Sequence, residues 1–423
     1  MEPKDTAERR REHGRIFILC FTIYAFSYIG RMNYSACIPS IINEGIFDRA
    51  FGGYITTAYL IAYGAGQLIN GYVSTRISPR YMIGIGLAGV AVSNLFMGIF
   101  PYKYAMVVIW AFNGFFNSML WTPLIRAFTD WLPEKPRARA GVNISVSIPL
   151  GTLAAYLIPA LILKHFDWRT VFFVCSGCLF LAFIIWCVGM RTIKDYLAEI
   201  AKCETTPPGG SVYDHSGSDV RDGFGRILIR MCVPLVAIIC FFNGALKDSV
   251  TSWTPTYLFD TFSINDFQAS LITTLLPIVS VFGAYVARFL DDRFFKNELA
   301  VCGVLYGIAA IAYIALNLFG HTNVILSAAL ISIALSAMWG VNTQVLTFIP
   351  FYFNKLHKSS AISGMLNCTA YIASSTCSSV FGTLAESVGW SAVTAIWLGI
   401  AIAGTVASFV IAPIWKKRRN RYS

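Results

Sequence analysis

The sequence predicts an all-α integral membrane protein with twelve transmembrane helices in two pseudo-symmetric six-helix bundles. Three observations predict it. The chain is 56% hydrophobic and only 13% charged, against about a quarter charged in a typical soluble domain. Apolar runs recur along its whole length, each close to the ~20 residues a helix needs to cross a bilayer core. A single long polar stretch, residues 191–227, divides those runs into six and six. Helices follow from the solvent, because backbone N–H and C=O groups find no water partners in hydrocarbon.

The elements follow in order. A short polar segment, 1–15, contains RRREHGR and leads into span 1, 16–40. That run is too long for a signal-peptide core and no small-residue cleavage site follows, so a processed leader is not expected. Spans 2 to 6 cover 51–75, 81–100, 104–130, 138–164 and 169–190, completing a first bundle, 16–190. The stretch 191–227 holds TTPPGGSVYDHSGSD, whose turn-forming composition reads as a flexible linker. Spans 7 to 12 cover 228–259, 267–287, 298–319, 322–353, 359–385 and 390–415, forming a second bundle, 228–415, before a basic tail, 416–423.

Basic residues set the expected orientation. With both termini cytoplasmic, 26 of the 33 Lys and Arg fall on the cytoplasmic side, and four, Arg49, Lys103, Lys164 and Arg169, lie opposite. That is a strong positive-inside pattern. The net charge of +11 and pI near 9.1 therefore report topology and contact with anionic membrane lipids, and a nucleic-acid partner is not expected. Cys175-x-x-Cys178 sits in span 6 with no His or Cys cluster around it and reads as helix packing. GIGLAG at 84–89 matches a dinucleotide fingerprint, but no strand precedes it, so small-residue packing is the reading. The sequons at Asn33 and Asn143 lie inside spans and are chance matches.

Two cations stand out. Arg31 is the only charge between Arg15 and Glu44, about midway through span 1. A charge at that depth costs at least a few kcal/mol and marks a functional site by default. Span 7 is uncharged from Met231 to Leu246 and then reaches Lys247 at similar depth. Pro39 follows Arg31 by eight residues, and Pro255 follows Lys247 by eight. The matched depth and offset support two cations facing each other across a pseudo-twofold axis. At about 8 Å and an effective dielectric of 20 they would repel by about 2 kcal/mol. Acids are scarce in the spans: Asp130 near one end, and Asp248, which need not share the face of Lys247 because successive helical residues point about 100° apart. An anionic substrate would close this electrostatic gap.

Polar and aromatic stripes should line the same cavity. Tyr24 and Tyr28 share a face with Arg31. Tyr63 and Gln67 do the same in span 2, as do Asn113, Asn117 and Trp121 in span 4. Asn243 and Trp253, Asn342 and Gln344, and Asn367 and Tyr371 extend the set through spans 7, 10 and 11. In lipid, such residues on several spans point to a shared hydrated interior, although each alone could be glue between helices.

The chain resembles the organophosphate:phosphate antiporter family of the major facilitator superfamily. The resemblance is carried by YAFSYIGRMNYSACIP (24–39), AYGAGQLINGYVSTRISPR (62–80), NGFFNSMLWTPLIR (113–126), KDSVTSWTPTYL (247–258) and SGMLNCTAYIASS (363–375). It implies the major facilitator fold and a secondary active transporter that exchanges a phosphorylated metabolite for inorganic phosphate by rocking-type alternating access. It further implies no enzymatic activity, no cofactor or metal, a monomer, and residence in the inner or plasma membrane. Arg31 falls where the family has its phosphate-binding arginine, and Lys247 where it has a second arginine. Tyr24, Tyr28, Tyr63 and Tyr371 occupy family cavity positions. GYVSTRISPR, with Arg76 and Arg80, is similar to the superfamily's gating loop, but its usual aspartate is Thr75; the loop at Asp291 keeps the matching acid in the second half. Arg126 and Asp248 complete the gating and coupling set.

Three departures bear on the substrate. The second arginine is Lys247, the span-2 basic residue of the glycerol-phosphate exchangers is Gln67, and their span-5 histidine is Val146, followed by Ser147. An ammonium is a point charge where a guanidinium binds phosphate bidentately, so the site is less cationic than the resemblance implies. All five histidines lie in loops or at span edges, leaving Asp248 as the one intramembrane group suited to a proton relay. Phosphate esters are the first expectation. A proton-coupled symporter of sugar acids or other carboxylates, and a transport-deficient membrane sensor of sugar phosphates, remain open alternatives.

Overall fold

The computed structural model describes residues 3–194, 196–198, 228, 232–264, 266–354 and 358–419, and among them there is no strand. Most of the expected linker, 191–227, lies outside the described residues. Among the described residues there are twelve long helical rods: α1 (Pro3–Asn43), α2 (Arg49–Val73), α3 (Pro79–Ile99), α4 (Lys103–Trp131), α5 (Glu134–Ile162), α6 (Trp168–Thr192), α7 (Val233–Phe262), α8 (Asp266–Leu290), α9 (Glu298–Phe319), α10 (Val324–Phe351), α11 (Ser359–Ser387) and α12 (Trp390–Arg419). Among the described residues, nine of them are long and apolar enough to cross a membrane on length and composition alone. The expected spans at 51–75, 267–287 and 359–385 are continuous helices as well, namely α2, α8 and α11. The largest departure from the sequence reading is at the ends: α1 is helical from Pro3 rather than from residue 16, and α12 runs on to Arg419. Apolarity marks where a helix meets lipid, whereas a charged helix continues into water at no comparable cost.

The chain divides into two compact units, Met1–Arg230 and Met231–Ser423. In the first, α1 packs on α5 and α6, α2 on α4, and α3 on α4 and α6. In the second, α7 packs on α11 and α12, α8 on α10, and α9 on α10 and α12. The second set is the first shifted by six helices, which is the internal repeat expected of paired bundles. Small residues let these pairs approach closely. A Cβ on Gly114 would strike the Tyr59 carbonyl oxygen, and one on Gly244 would strike that of Ala370. The α2–α4 and α7–α11 contacts are thus backbone against backbone. Outward faces carry exposed Ile18, Ile61, Leu161, Phe282, Ile311 and Val410, as a lipid-facing surface requires.

Several rods are irregular where they pass buried polar residues. A turn of 3-10 helix, Ile144–Val146, interrupts α5, and a π-helical turn, Gln344–Phe348, interrupts α10. Prolines lie inside α4 (Pro123), α5 (Pro159), α7 (Pro255) and α12 (Pro413). Each removes one ladder hydrogen bond.

Candidate functional site

In the first unit the backbone that carries Arg31 is pinned from two sides. The Gly30 carbonyl accepts hydrogen bonds from Asn94 Nδ2 (3.2 Å) on α3 and Asn113 Nδ2 (3.0 Å) on α4. Asn33 Nδ2 in turn donates to Asn94 Oδ1 at 2.8 Å. Asn33 is fully buried, as its span position implied. Asn113 therefore acts as interhelical glue, and Asn117 donates to its Oδ1 at 3.4 Å.

Around the guanidinium stand three tyrosines. The Arg31 Cζ lies 5.6 Å from the Tyr28 ring centroid, 5.7 Å from that of Tyr59 and 4.9 Å from that of Tyr63. Tyr59 and Tyr63 stack on each other at 6.0 Å. Contacts of this kind contribute ~0.5–2 kcal/mol each, more when desolvated. The rings carry no charge, so these contacts ease the burial of Arg31 while leaving its positive charge intact. The aromatic wall continues onto α4, where Trp121 lies 5.1 Å from Tyr24, and Tyr24 lies 5.6 Å from Tyr28. One turn beyond Tyr63, Gln67 is fully buried. Neither of its amide heavy atoms finds a hydrogen-bond partner among the described residues, and the same holds for Trp121 Nε1 and Thr122 Oγ1. Buried polar atoms are normally satisfied by protein groups or by ordered water.

The second unit answers a question that the sequence left open. Lys247 Nζ lies 2.7 Å from Asp248 Oδ1. The 100° step between neighbouring residues does not separate them, because the lysine stem is long enough to swing back onto its neighbour. Lys247 also sits 4.7 Å over the ring of Trp339 on α10. Beside it, Asn243 Nδ2 donates to the Met338 carbonyl at 3.0 Å, and Gln344 Nε2 donates to the Ala287 carbonyl at 3.0 Å. Both amides stitch helices together. Asn367 is buried, and Asn342 and Tyr371 are half-buried. Trp253 packs 6.2 Å from Trp390 and against Gly382, at the end of the bundle where α12 begins.

The expected gating residues fall into two groups. In the first unit Arg126 donates to the carbonyls of Ser74 and Ile77 and pairs with Asp130 at 2.9 Å. It clamps the α2–α3 turn directly, where Thr75 offers no carboxylate. Arg76 and Arg80 are exposed and bond the hydroxyls of Tyr72 (2.8 Å) and Tyr81 (2.7 Å). In the second unit Asp291 follows α8 in a π-helical turn and is buried. Burial first, then the Glu298 carboxylate, pushes its pKa up to about 6, against the opposing pull of Arg288. Arg288 lies 3.8 Å from Asp291 and 2.7 Å from Asp292. Glu298 itself, also buried, accepts hydrogen bonds from Tyr352 (2.5 Å), Trp415 (2.8 Å) and Arg419 (3.0 Å).

Sequence reasoning missed Tyr59, Trp339, Asn94 and the Glu298 cluster. Tyr59 was within reach, four residues before Tyr63 on the same stripe. Trp339 looked like any aromatic in an apolar span, and the partners of Glu298 are too distant in sequence to be read.

A helical repeat with a caged cation inside one half is a recognisable arrangement, and residues 20–376 match the model of the Major Facilitator Superfamily. The chain belongs to that superfamily. It is a multi-pass membrane transporter and not an enzyme. It is 23% identical over 436 residues to a probable hexose phosphate transport protein of Chlamydia trachomatis, covering 95% of this chain and 90% of that one. A glycerol-3-phosphate transporter of Bacillus subtilis is 27% identical over 325 residues, 72% of this chain and 70% of its own. The membrane sensor protein UhpC of Salmonella typhimurium is 22% identical over 428 residues, 98% and 94% of the two chains. Among solved structures, the proton:xylose symporter XylE superposes with a TM-score of 0.73 over 98% of this chain and 100% of that one, at 13% identity. That match shows the fold.

Proposed function

We propose that the protein exchanges a phosphorylated small metabolite, a sugar phosphate or glycerol phosphate, for inorganic phosphate by alternating access, with both termini cytoplasmic. The observation that carries the reading is Arg31: a guanidinium deep in α1, ringed by Tyr28, Tyr59 and Tyr63 and held on a backbone pinned by Asn94 and Asn113. A preorganised guanidinium suits bidentate contact with phosphate oxygens. The names of the relatives point to the same substrate class. Lys247 supplies a second charge, released to the anion from Asp248, and Gln67, Trp121 and Thr122 satisfy their polar groups on the hydroxyl-bearing part of the substrate. The excess of Lys and Arg in the termini and in the loops on the same side supports the orientation.

The Lys247–Asp248 pair favours one alternative. A carboxylate inside a span can carry a proton, which is what a symporter of organic anions needs. Uptake of labelled glucose 6-phosphate into reconstituted liposomes separates the two. Exchange predicts that preloading with phosphate accelerates uptake severalfold and that a protonophore has little effect. Uptake into unloaded vesicles that collapses with the protonophore would overturn exchange in favour of symport. Binding without any uptake would indicate a sensor.

A further inference from the structure

In the first bundle, between the first turns of α3 and the last turns of α6, lies a groove of about 480 Å³. Its bed is apolar: Ile85 from α3 and Phe183 and Trp186 from α6. Its mouth carries Arg80, Arg191 and Lys194, and no carboxylate is among its lining residues. All three cations are exposed, whereas Trp186 is 1% exposed and its Nε1 donates to the Arg80 carbonyl at 2.8 Å, tying the two helices at the floor of the groove. Arg80 also lies 4.4 Å from the Tyr81 ring centroid, which holds its guanidinium at the mouth.

We propose that this groove binds an anionic phospholipid. The three cations receive the headgroup phosphate, and an acyl chain lies along Ile85, Phe183 and Trp186. Charge complementarity selects the occupant. Three cations with no carboxylate among the described residues that line the groove want an anion, and the apolar bed below them, open at exposed Ile85 and half-buried Phe183, wants a hydrocarbon chain. An anionic lipid is the one molecule that supplies both in this order along the helix axis. With the positive-inside orientation, the site opens to the cytoplasmic leaflet, where anionic headgroups face basic side chains.

The test is native mass spectrometry of the full-length protein released from nanodiscs of mixed phosphatidylglycerol and phosphatidylcholine. The wild type should retain phosphatidylglycerol in preference to phosphatidylcholine. The triple variant Arg80→Gln, Arg191→Gln, Lys194→Gln should lower that retention at least about tenfold, each basic group contributing to headgroup attraction. Gly84→Leu should lower it as well with all three cations in place. A Cβ at Gly84 meets Trp186 and Phe183 in ordinary contact at 3.7–3.8 Å, and the rest of the leucine side chain takes up groove volume; an unchanged melting temperature shows that the helices still pack. Removing equal charge from the tail, by Lys416→Gln, Lys417→Gln and Arg418→Gln, should leave retention unchanged. Millimolar inorganic phosphate should not displace the lipid. Equal retention of the two lipids by the wild type, an unaltered triple variant, or displacement by free phosphate would each overturn the proposal.

Discussion

Replacing Asp248 with Asn should tighten phosphate-ester binding. In the structure Lys247 Nζ lies 2.7 Å from Asp248 Oδ1, with side-chain exposures of 12% and 31%. At that separation and an effective dielectric of 20 the gross attraction is about 6 kcal/mol, most of it cancelled by lost solvation. The net worth of a hydrogen bond to a charged group is about 1.5–3 kcal/mol, against about 0.5–1.5 for a neutral one. An anion that takes over Lys247 forfeits the first figure in the wild type and the second in Asp248→Asn. The difference, about 1–1.5 kcal/mol, corresponds to roughly tenfold tighter binding. A dianionic ester should gain more than a monoanionic carboxylate, because the freed charge acts on twice the ligand charge. Titration calorimetry of the purified protein with glucose 6-phosphate and with gluconate reads both numbers. Unchanged or weaker binding of the ester by Asp248→Asn would refute the idea that Lys247 is handed from the carboxylate to the substrate.

Three further outcomes follow from the same geometry. Tyr59→Phe should retain affinity for phosphate while Tyr59→Leu loses about 0.5–2 kcal/mol, because the ring rather than the hydroxyl faces Arg31; a calorimetric titration separates them. Gly114→Val should lower the melting temperature by the equivalent of about 1–3 kcal/mol, since its Cβ meets the Tyr59 backbone and not a yielding side chain. Asp291 supplies a pH dependence: its pKa is raised to about 6 from 3.8, so it contributes stability below pH 4 that is lost as pH rises through 6. Thermal melts should show stability increasing as pH is lowered from 7 to 5, and Asp291→Asn, which keeps the neutral form at every pH, should flatten that portion of the profile.

The helices were legible because the bilayer leaves the backbone no alternative, although among the described residues length and apolarity alone mark only nine, and α2, α8 and α11 fall outside that set. The stripes of Tyr28 with Arg31 on α1 and of Tyr63 with Gln67 on α2 were legible for a related reason: polar groups in hydrocarbon must face something, and spacing shows which share a face. What a stripe cannot show is whether its residues meet a cavity or a neighbouring helix. Asn113, Asn243 and Gln344 proved to be bonded to carbonyls of other helices, and Trp253 to pack on Trp390. Both outcomes satisfy a buried polar or amphipathic group, so the sequence pattern is the same. Whether Lys247 pairs with Asp248 stayed open in the sequence because a helical wheel treats side chains as rigid spokes. A lysine has four rotatable carbons and reaches across the angle that separates adjacent positions.

Arg31 is the centre of the account, and its affinity for phosphate tests it most directly. Calorimetric titration of inorganic phosphate into wild type and Arg31→Gln should show a loss of about 100-fold or more, the equivalent of two charge-assisted contacts at about 1.5 kcal/mol each. The variant should keep a wild-type melting temperature, because the neutral side chain costs less to bury among the same three tyrosines. An Arg31→Gln protein that binds phosphate as the wild type does, while folded, would contradict the claim that the tyrosine-caged guanidinium is the anion site.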